Sequence, residues 1–388
     1  MPLRSALAQV EPYRPQPPLR QLQAELGLDR LVKLGSNEGP FGPLPAAVAA
    51  FEAATLELNR YPDGGARRLR EALARRYDVP VEQIVVGNGA DELIRFAALA
   101  TLDPGDRAVF PWPSFQSYPT AAAAAAGEFT AVPMRDRAID LDAVLAACHG
   151  AKLVYLANPN NPTGTLVRRD DVRRFVAELP PGVLCVLDEA YAEYAEEEPA
   201  GVDLVRDGHD RICVLRTFSK VYGLAALRVG YAIASPQIAD GLNRVRPIFN
   251  VNQPAQEAAL ASLHETEVVR RRIAHTRAAR DELYDTLAAA GLDPIPSHAN
   301  FVYAEVAGRG ESGGLTPYQG DGDGLADSLL HAGFIVRALR AFGAPGAIRV
   351  TVGTDEEMRL FAAALPHALR RCEAAGCSPP QDAEINRL

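Results

Sequence analysis

The segment around Lys220 combines residue types that suit covalent chemistry on a phosphate-bearing ligand. Thr217, Ser219 and Lys220 follow an apolar run that ends near Leu215, and Arg228 stands eight residues beyond the lysine. A lysine amine at the end of a strand can form a Schiff base with a carbonyl compound, while nearby hydroxyl and guanidinium groups can bind a phosphate on that compound. A lone lysine is usually an exposed surface amine, but the spacing of Ser219 and Arg228 favours the chemical role.

A pair of acidic residues, Asp188 and Glu189, follows a second apolar run, and Tyr191 comes shortly after them. A carboxylate at the C-terminal end of a strand faces the ligand crevice of an open α/β sheet, where it can keep a pyridine nitrogen protonated. Tyr191 can donate a hydrogen bond to a phenolate oxygen on the same ring. The Asp-Glu pair is also compatible with a helix N-cap or a magnesium ligand, although the sequence contains no Walker A motif that would support the metal.

Two further predicted strand ends carry small or amide side chains. Asn161 lies within residues 158–164, where two Asn-Pro steps force a tight turn, and its amide can bond the same phenolate oxygen. Gly89, Ala90 and Asp91 stand between a strand and a helix, so the backbone can approach a ligand and free N–H groups can bind a phosphate. Ordinary glycine turns share this pattern, and the motif is not G-x-G-x-x-G.

Two arginines, Arg337 and Arg349, lie in apolar strand patterns of the C-terminal part. An arginine embedded in an apolar strand is costly unless it meets an anion, and its planar fork suits a carboxylate or a phosphate. The sequence therefore predicts an anion-binding site there, with an internal ion pair as the alternative.

Short apolar runs alternate with helical patterns along most of the chain, which indicates an α/β fold with a mostly parallel sheet. Amphipathic segments such as residues 66–77 and 170–179 are predicted helices between the strands. The candidate strands are residues 84–86, 108–110, 153–156, 183–187 and 212–215.

The chain is predicted to form an N-terminal arm and small-domain part at residues 1–40, a large domain at 41–270 and a small C-terminal domain at 271–388. The long charged helical pattern of residues 268–290 is typical of a connector between domains. Residues 308–324 contain seven glycines and an Asp-Gly repeat. We interpret this segment as a mobile surface loop, because such a composition buries little surface.

Composition excludes several classes of protein. The 388 residues include 40 basic and 49 acidic side chains, and a net charge of -9 argues against a nucleic-acid surface. The five cysteines are scattered, with no C-x-x-C pair for zinc or redox work, and no metal site is predicted. No long apolar stretch follows the first residues, so we expect neither a signal peptide nor a membrane span. We therefore expect a cytoplasmic enzyme.

Taken in order, the motifs resemble those of the fold type I aminotransferases, which depend on pyridoxal 5′-phosphate (PLP). The residues of these motifs are most similar to those of the histidinol-phosphate aminotransferases and their aromatic-aminotransferase relatives. The resemblance covers essentially residues 10–370. It extends to Pro12-Tyr13, to Ser36-Asn37-Glu38-Gly39-Pro40-Phe41-Gly42-Pro43, to Tyr61-Pro62-Asp63-Gly64, to Pro113-Ser114-Phe115 and to Ser297-His298-Ala299-Asn300-Phe301-Val302.

This resemblance implies a large domain with a mostly parallel sheet flanked by helices, a smaller α+β domain, and PLP held by Lys220. Asp188 and Tyr191 are the other implied catalytic residues. Tyr61 is implied to reach the cofactor from the second subunit of a homodimer with shared active sites. Phe115 is implied to stack on the cofactor ring. The other implied cofactor-binding residues are Gly89, Ala90, Asp91, Asn161, Thr217, Ser219 and Arg228.

On the substrate side, the resemblance implies roles for Tyr13 and Asn37. Arg349 is implied to bind the carboxylate of glutamate or the anion of the other substrate, with the assistance of Arg337. The expected reaction is a ping-pong transfer of an amino group between histidinol phosphate, or an aromatic amino acid, and a 2-oxo acid such as 2-oxoglutarate.

Several residues depart from the family pattern. Gly39 stands where asparagine or serine is usual, Ala226 replaces a common glycine, and Trp112 precedes Pro113 where a polar residue is usual. Such changes leave open a paralogue of a specialised pathway. A PLP decarboxylase of the same fold would keep every cofactor residue, whereas a ligand sensor has no reason to retain the lysine, aspartate and arginine set. A nicotinamide dehydrogenase lacks support without the glycine fingerprint.

Overall fold

The computed structural model describes residues 18–306, 308–309, 315–316 and 321–374. Their contacts divide them into two compact units. The first unit contains Phe41–Asn161 and Thr165–Ala274, and the second contains residues 18–40, Pro162–Gly164 and 275–374. Tyr13, which the sequence predicts as a substrate residue, lies outside the described residues.

The strands within these ranges are short, and most of them belong to two sheets, one in each unit. They are β1 (Val32–Lys33), β2 (Ile84–Gly87), β3 (Arg107–Trp112), β4 (Glu128–Pro133), β5 (Leu153–Ala157), β6 (Leu184–Asp188), β7 (Ile212–Thr217), β8 (Gly230–Ala234), β9 (Asp293–Pro294), β10 (Phe301–Glu305), β11 (Gly308–Arg309), β12 (Leu315–Thr316), β13 (Phe334–Ile335), β14 (Arg337–Ala338) and β15 (Ala347–Thr351).

Helices precede, separate and follow these strands along the chain. They are α1 (Leu19–Leu26), α2 (Pro45–Ala54), α3 (Arg67–Tyr77), α4 (Ala90–Thr101), α5 (Ser117–Ala124), α6 (Leu141–Ala147), α7 (Arg169–Glu178), α8 (Gly201–Arg206), α9 (Pro236–Val245), α10 (Gln253–Ser262), α11 (Thr266–Ala289), α12 (Gly322–His331) and α13 (Asp355–Ala374).

The first unit is built on a seven-stranded sheet with the order β2-β8-β7-β6-β5-β3-β4. Strands β4, β3, β5, β6 and β7 pair in parallel, and β8 runs antiparallel to both of its neighbours. The central strands are apolar and buried along almost their whole length because helices cover both faces of a parallel sheet. The C-terminal ends of β3, β5, β6 and β7 therefore meet at one edge, which is where chemistry is expected.

Helices α4, α5 and α9 cover one face of this sheet. Leu93 and Phe96 of α4, Tyr118 of α5 and Leu242 of α9 are buried in one apolar cluster with the strands. Each large side chain of this kind stabilises the fold by about 1.5–3 kcal/mol through removal of apolar surface from water. The packing consequently holds the strand ends in a fixed arrangement.

The second unit contains an antiparallel sheet with the order β14-β15-β10-β9. Its core joins Val302 and Val350 of the sheet with Leu329 of α12 and with Phe361 and Leu365 of α13. Arg349 stands directly opposite Tyr303 of β10 on one side and opposite Arg337 of β14 on the other. This register brings both arginines of the sequence prediction into one place.

The predicted secondary structure agrees with these elements. All five candidate strands are present as β2, β3, β5, β6 and β7, and the predicted helices at residues 66–77, 170–179 and 268–290 are α3, α7 and α11. The predicted fold class, α/β with a mostly parallel sheet flanked by helices, is confirmed. Within the described ranges, no helix combines the length and the apolar character that a membrane span requires.

The predicted loop at residues 308–324 is wrong in its described parts. Strands β11 and β12 pair with each other, and α12 begins at Gly322. A Cβ atom at Gly322 would lie 2.4 Å from the carbonyl oxygen of Ala347, so this glycine is required by close packing. Asp321 and Asp323 on either side are buried. The rest of the segment lies outside the described residues.

A buried ion pair joins the ends of β6 and β7 in the first unit. Arg216 donates from Nε to Oε2 of Glu189 over 2.9 Å, and Gly201 N–H donates to the other carboxylate oxygen over 2.9 Å. Burial of both charges costs free energy that only close pairing and hydrogen bonding offset. Glu189, the residue after Asp188, therefore has a structural role. Asp188 is not part of this ion pair and makes its hydrogen bonds with other residues.

Candidate active site

Asp188 lies buried at the C-terminal end of β6 and is held by two hydrogen bonds. Tyr118 donates from its hydroxyl to Oδ2 over 2.9 Å, and the backbone N–H of Ala190 donates to Oδ1 over 3.2 Å. Burial raises the pKa of Asp188 to about 6, although both hydrogen bonds and the nearby Lys220 act in the opposite direction. Because burial destabilises the charged form of this carboxyl group, a cationic partner beside it would be strongly bound.

Tyr118 is a residue that sequence reasoning missed. It is fully buried, and its ring stacks on that of Tyr155 with centroids 4.7 Å apart and planes 5° from parallel. Its edge also meets the ring of Phe115 at 5.9 Å. Phe115 precedes α5 and Tyr118 lies in its first turn, so no helical periodicity in the sequence pointed to this pair.

Lys220 follows β7 in a turn that its neighbours fix. Thr217 donates from its hydroxyl to that of Ser219 over 3.0 Å, and the N–H of Ser219 donates to the Thr217 hydroxyl over 3.1 Å. The Lys220 amine lies 5.3 Å from the centre of the Tyr191 ring. It is also close enough to Asp188 to affect the pKa of that carboxyl. The three predicted catalytic residues, Lys220, Asp188 and Tyr191, therefore lie close together.

Arg228 lies against the N-terminal end of α4. Its guanidinium donates to the Ser219 hydroxyl over 3.4 Å and to the carbonyl of Ala225 over 2.9 Å. A Cβ atom at Gly89 would lie 2.5 Å from the Arg228 guanidinium, so a side chain there would displace it. Gly89 also has a φ of +82°, which other residues adopt rarely.

The opening turn of α4 supplies N–H groups beside this guanidinium. Ala90 and Asp91 are the first two residues of the helix, and free N–H groups at such a terminus attract phosphate. The Asp91 carboxylate accepts a hydrogen bond from Ser117 and lies 3.6 Å from Arg95. The side chain of Asp91 is therefore engaged elsewhere, which leaves its backbone N–H as the group for an anion.

The loops after β3 and β5 are tied to each other. Ser114 donates to the side-chain oxygen of Asn160 over 2.8 Å, and the Asn160 amide donates to the carbonyl of Pro113 over 3.3 Å. Phe115 and Asn161, two of the predicted cofactor residues, are the next residues in the chain after Ser114 and Asn160. Trp112, the sole tryptophan, ends β3 half-buried, with its ring 6.1 Å from that of Phe110.

In the second unit, Arg349 is 4% exposed and donates to the carbonyl of Gly35 over 2.8 Å. Its guanidinium lies 5.2 Å from the ring centre of Phe301 and 5.6 Å from that of Phe342. Arg337 lies 5.6 Å from the same Phe342 ring. Phe342, which the sequence did not single out, therefore contacts both arginines.

Asn37 is buried in the second unit with a φ of 54°, in the left-handed region. Its N–H donates to the Thr351 hydroxyl over 3.0 Å, and that hydroxyl donates back to the Asn37 side-chain oxygen over 3.1 Å. Asn300 donates to the Asn37 carbonyl over 3.1 Å. Thr351 and Asn300 thus fix a residue that was predicted on resemblance alone.

Tyr61 is 80% exposed and stacks on Phe249 with ring centroids 4.4 Å apart. Among the contacts of the described residues, none joins Tyr61 to Asp188, Lys220 or Arg228. Asn250, the residue after Phe249, donates from its amide to Glu92 in the first turn of α4, over 2.6 Å. Across the part of the chain that the structure describes, no cluster of three or more His, Cys, Asp or Glu side chains could hold a metal ion.

The donor set of the first unit matches the needs of PLP. This compound requires an amine for its aldehyde, an anion for its ring nitrogen and a cationic cradle for its phosphate. Lys220, Asp188 and the Arg228 guanidinium, which lies against Gly89 at the start of α4, meet these three needs. The chain is a PLP-dependent enzyme with the fold type I arrangement.

Comparison with known proteins assigns the family. Residues 29–365 match the family model for aminotransferase class I and II, and the chain belongs to this family. It is 43% identical to a histidinol-phosphate aminotransferase of Symbiobacterium thermophilum over 368 residues, which cover 95% of this chain and 98% of the relative. It is also 43% identical to histidinol-phosphate aminotransferase 2 of Pseudomonas aeruginosa, over 93% of this chain and 95% of the relative.

A solved structure gives the same picture. The crystal structure of histidinol-phosphate aminotransferase from Sinorhizobium meliloti in complex with pyridoxal 5′-phosphate superposes with a TM-score of 0.85. The two chains are 29% identical, and the match covers 96% of this chain and 98% of the other. The predicted activity, PLP-dependent transamination of small molecules, is confirmed at this level.

Proposed function

We propose that this aminotransferase moves an amino group between histidinol phosphate and 2-oxoglutarate in a ping-pong reaction. The observation that carries the substrate class is the register of β14 and β15, which sets Arg337 directly opposite Arg349. Like charges opposite each other in a sheet are destabilising unless something offsets them. A phosphate dianion carries two negative charges and would offset both, whereas each carboxylate of an amino acid carries only one.

The relatives support the same substrate, since the two named above are histidinol-phosphate aminotransferases. We assign Arg349 to the substrate anion as the principal ligand and Arg337 as its assistant. Asn37, held by Thr351, and Tyr13 would line the substrate side. The two compact units would correspond to a large cofactor domain and a small domain, and the enzyme would act in the cytoplasm.

Within the first unit, each predicted residue has a distinct task. Bound PLP supplies an electron sink for the substrate carbon that loses its proton. Asp188 would provide the negative charge at the ring nitrogen, and Tyr191 and Asn161 would donate hydrogen bonds to the phenolate oxygen. Phe115 would pack on the ring face.

Anchoring and proton transfer complete this assignment. Ser219, Arg228 and the N–H groups of Ala90 and Asp91 would hold the phosphate, with Gly89 and Thr217 shaping the turns around it. Lys220 would first hold the cofactor covalently. Once the donor amine replaces it, the freed amine would take the proton from the substrate α-carbon and return it during reprotonation.

A substrate screen tests this proposal. The purified enzyme should transaminate histidinol phosphate with 2-oxoglutarate at a higher kcat/KM than phenylalanine or tyrosine. Arg349→Gln should lower kcat/KM for both half-reactions by about tenfold or more, because a charge-assisted contact is lost. Arg349→Lys should be nearly as damaging, since an ammonium cannot reproduce the bidentate fork. Arg337→Gln should weaken mainly the half-reaction whose anion lies further from the ring.

Three results would count against it. Preference for aromatic amino acids over histidinol phosphate would reassign the substrate. Release of carbon dioxide without a keto product would assign a decarboxylase. If Arg349→Gln lowered thermal stability but left kcat/KM for both substrates within about twofold, Arg349 would belong to a structural contact.

We further propose that the enzyme works as a homodimer in which Tyr61 completes the site of the other subunit. Leu56, Leu58, Tyr61, Ile248 and Phe249 are large apolar residues that stand exposed in the first unit, Ile248 to 89%. The Tyr61–Phe249 stack brings their two segments together. Exposed apolar residues concentrated in this way are typical of a surface that a partner covers.

Mixing inactive variants tests the shared site. Heterodimers of Lys220→Ala and Tyr61→Ala subunits contain one site with both residues intact, so statistical mixing should restore about a quarter of wild-type activity. Each variant refolded alone serves as the control. If verified heterodimers showed no gain in activity, Tyr61 would act in the active site of its own subunit or would lie outside both sites.

A further inference from the structure

Phe342 occupies an unusual position in the second unit, because two cations share its ring. The guanidinium centres of Arg337 and Arg349 each lie 5.6 Å from its centroid. The face of an aromatic ring is electronegative and attracts a cation within about 6 Å. One ring therefore offsets part of the repulsion between two arginines that the strand register sets opposite each other.

The ring itself is held from several sides. Phe342 is buried in a small apolar cluster with Ile295, Tyr303 and Leu339. Its N–H donates to the carbonyl of Leu339 over 2.9 Å. These contacts leave the ring little freedom, so it acts as a fixed platform for the two guanidinium groups.

The turn that carries Phe342 is anchored to a helix. Arg340, two residues earlier, forms an ion pair with the buried Asp323 of α12. Gly343, directly after Phe342, takes a φ of +82° that closes the turn. The position of the ring is thus set by the backbone and by α12, independently of either arginine.

We propose that Phe342 is a specificity-determining residue that holds Arg337 and Arg349 as a pair and thereby favours a phosphate-bearing amino donor. This inference rests on the function proposed above. A phosphate dianion can engage both guanidinium groups at once, whereas a single carboxylate is satisfied by one bidentate fork. Loss of the ring leaves the backbone of both arginines in register but lets their guanidinium groups move relative to each other. The penalty falls mainly on the ligand that needs both.

The test compares Phe342→Leu with wild type as PLP-loaded enzymes. We expect KM for histidinol phosphate to rise about tenfold with kcat within about twofold, while KM for glutamate changes by less than about threefold. Phe342→Tyr, which keeps the ring face, should restore wild-type values. Phe334→Leu is the matched control, since Phe334 is also buried in this unit but packs edge-on against Phe361. It should leave the ratio of the two KM values unchanged.

Inorganic phosphate provides a probe that is independent of turnover of histidinol phosphate. It should inhibit glutamate transamination competitively, and Phe342→Leu should raise its inhibition constant about tenfold. Equal changes for phosphate and for glutamate, or the same effect from Phe334→Leu, would overturn the role of Phe342. If wild type failed to use histidinol phosphate while phosphate inhibition still depended on Phe342, the proposed substrate would be wrong. The role of Phe342 in holding the two arginines for a phosphate would still be supported.

Discussion

Replacing Lys220 with alanine should abolish transamination, by at least about a hundredfold, because the chain loses both its covalent attachment for the cofactor and its general base. The sequence contains three lysines, Lys33, Lys152 and Lys220. Lys220 is the one that lies beside Tyr191 and Asp188, at the edge where β6 and β7 end. An amine at another position cannot reach the same atoms.

Borohydride reduction followed by peptide mapping measures this directly. The wild-type protein should be yellow and should carry reduced cofactor on the peptide that contains Lys220. Lys152→Ala is the matched control, since Lys152 is an exposed lysine of the same unit, and it should be labelled as wild type is. Labelling at Lys33 or Lys152, or no labelling, would remove the basis of the assignment.

Replacing Asp188 with asparagine should leave cofactor binding largely intact but lower kcat by about a hundredfold or more, the cost of one strong electrostatic contact in the transition state. The asparagine oxygen can still accept the hydrogen bond from Tyr118, so the packing around α5 should survive. An amide carries no charge, however, and cannot hold the ring nitrogen in its cationic form. Wild-type turnover in this variant would reduce Asp188 to a structural residue.

The same substitution should stabilise the cofactor-free protein. Burial raises the pKa of Asp188 from 3.8 to about 6, so the folded state binds a proton more tightly than the unfolded state does. Such a group lowers the free energy of unfolding as pH rises from the lower pKa to the higher one. The total loss is about 3 kcal/mol once the pH is above both values. The gain from Asp188→Asn should therefore be largest above pH 7 and vanish below pH 4, as thermal unfolding at several pH values would reveal. A gain that is independent of pH would contradict this explanation.

The residues of the site fall into two groups with respect to the sequence. Asp188, Lys220 and Asn161 follow apolar strands, and parallel strands end at a common edge, so their proximity could be predicted. Tyr118 is 70 residues from Asp188, and Thr351 is 314 residues from Asn37. Such contacts depend on how helices and sheets pack, which local patterns do not encode.

The error at residues 308–324 has a related cause. Glycine enrichment was interpreted as a lack of order, but Gly322 is needed because α12 approaches the backbone of β15 too closely for a side chain. Composition does not distinguish a glycine that permits flexibility from one that permits contact. The role of Phe342 was hidden in the same way, because it arises from the strand register of Arg337 and Arg349.

Trp112 gives this enzyme a built-in optical reporter. It is the sole tryptophan and ends the strand that leads to Phe115, so all indole emission originates at one edge of the main sheet. The absorption band of a pyridoxal chromophore overlaps that emission, and energy transfer should quench it when the chromophore occupies the neighbouring crevice. Fluorescence titration of the unmodified protein would then report cofactor loading, without a label and without a substrate.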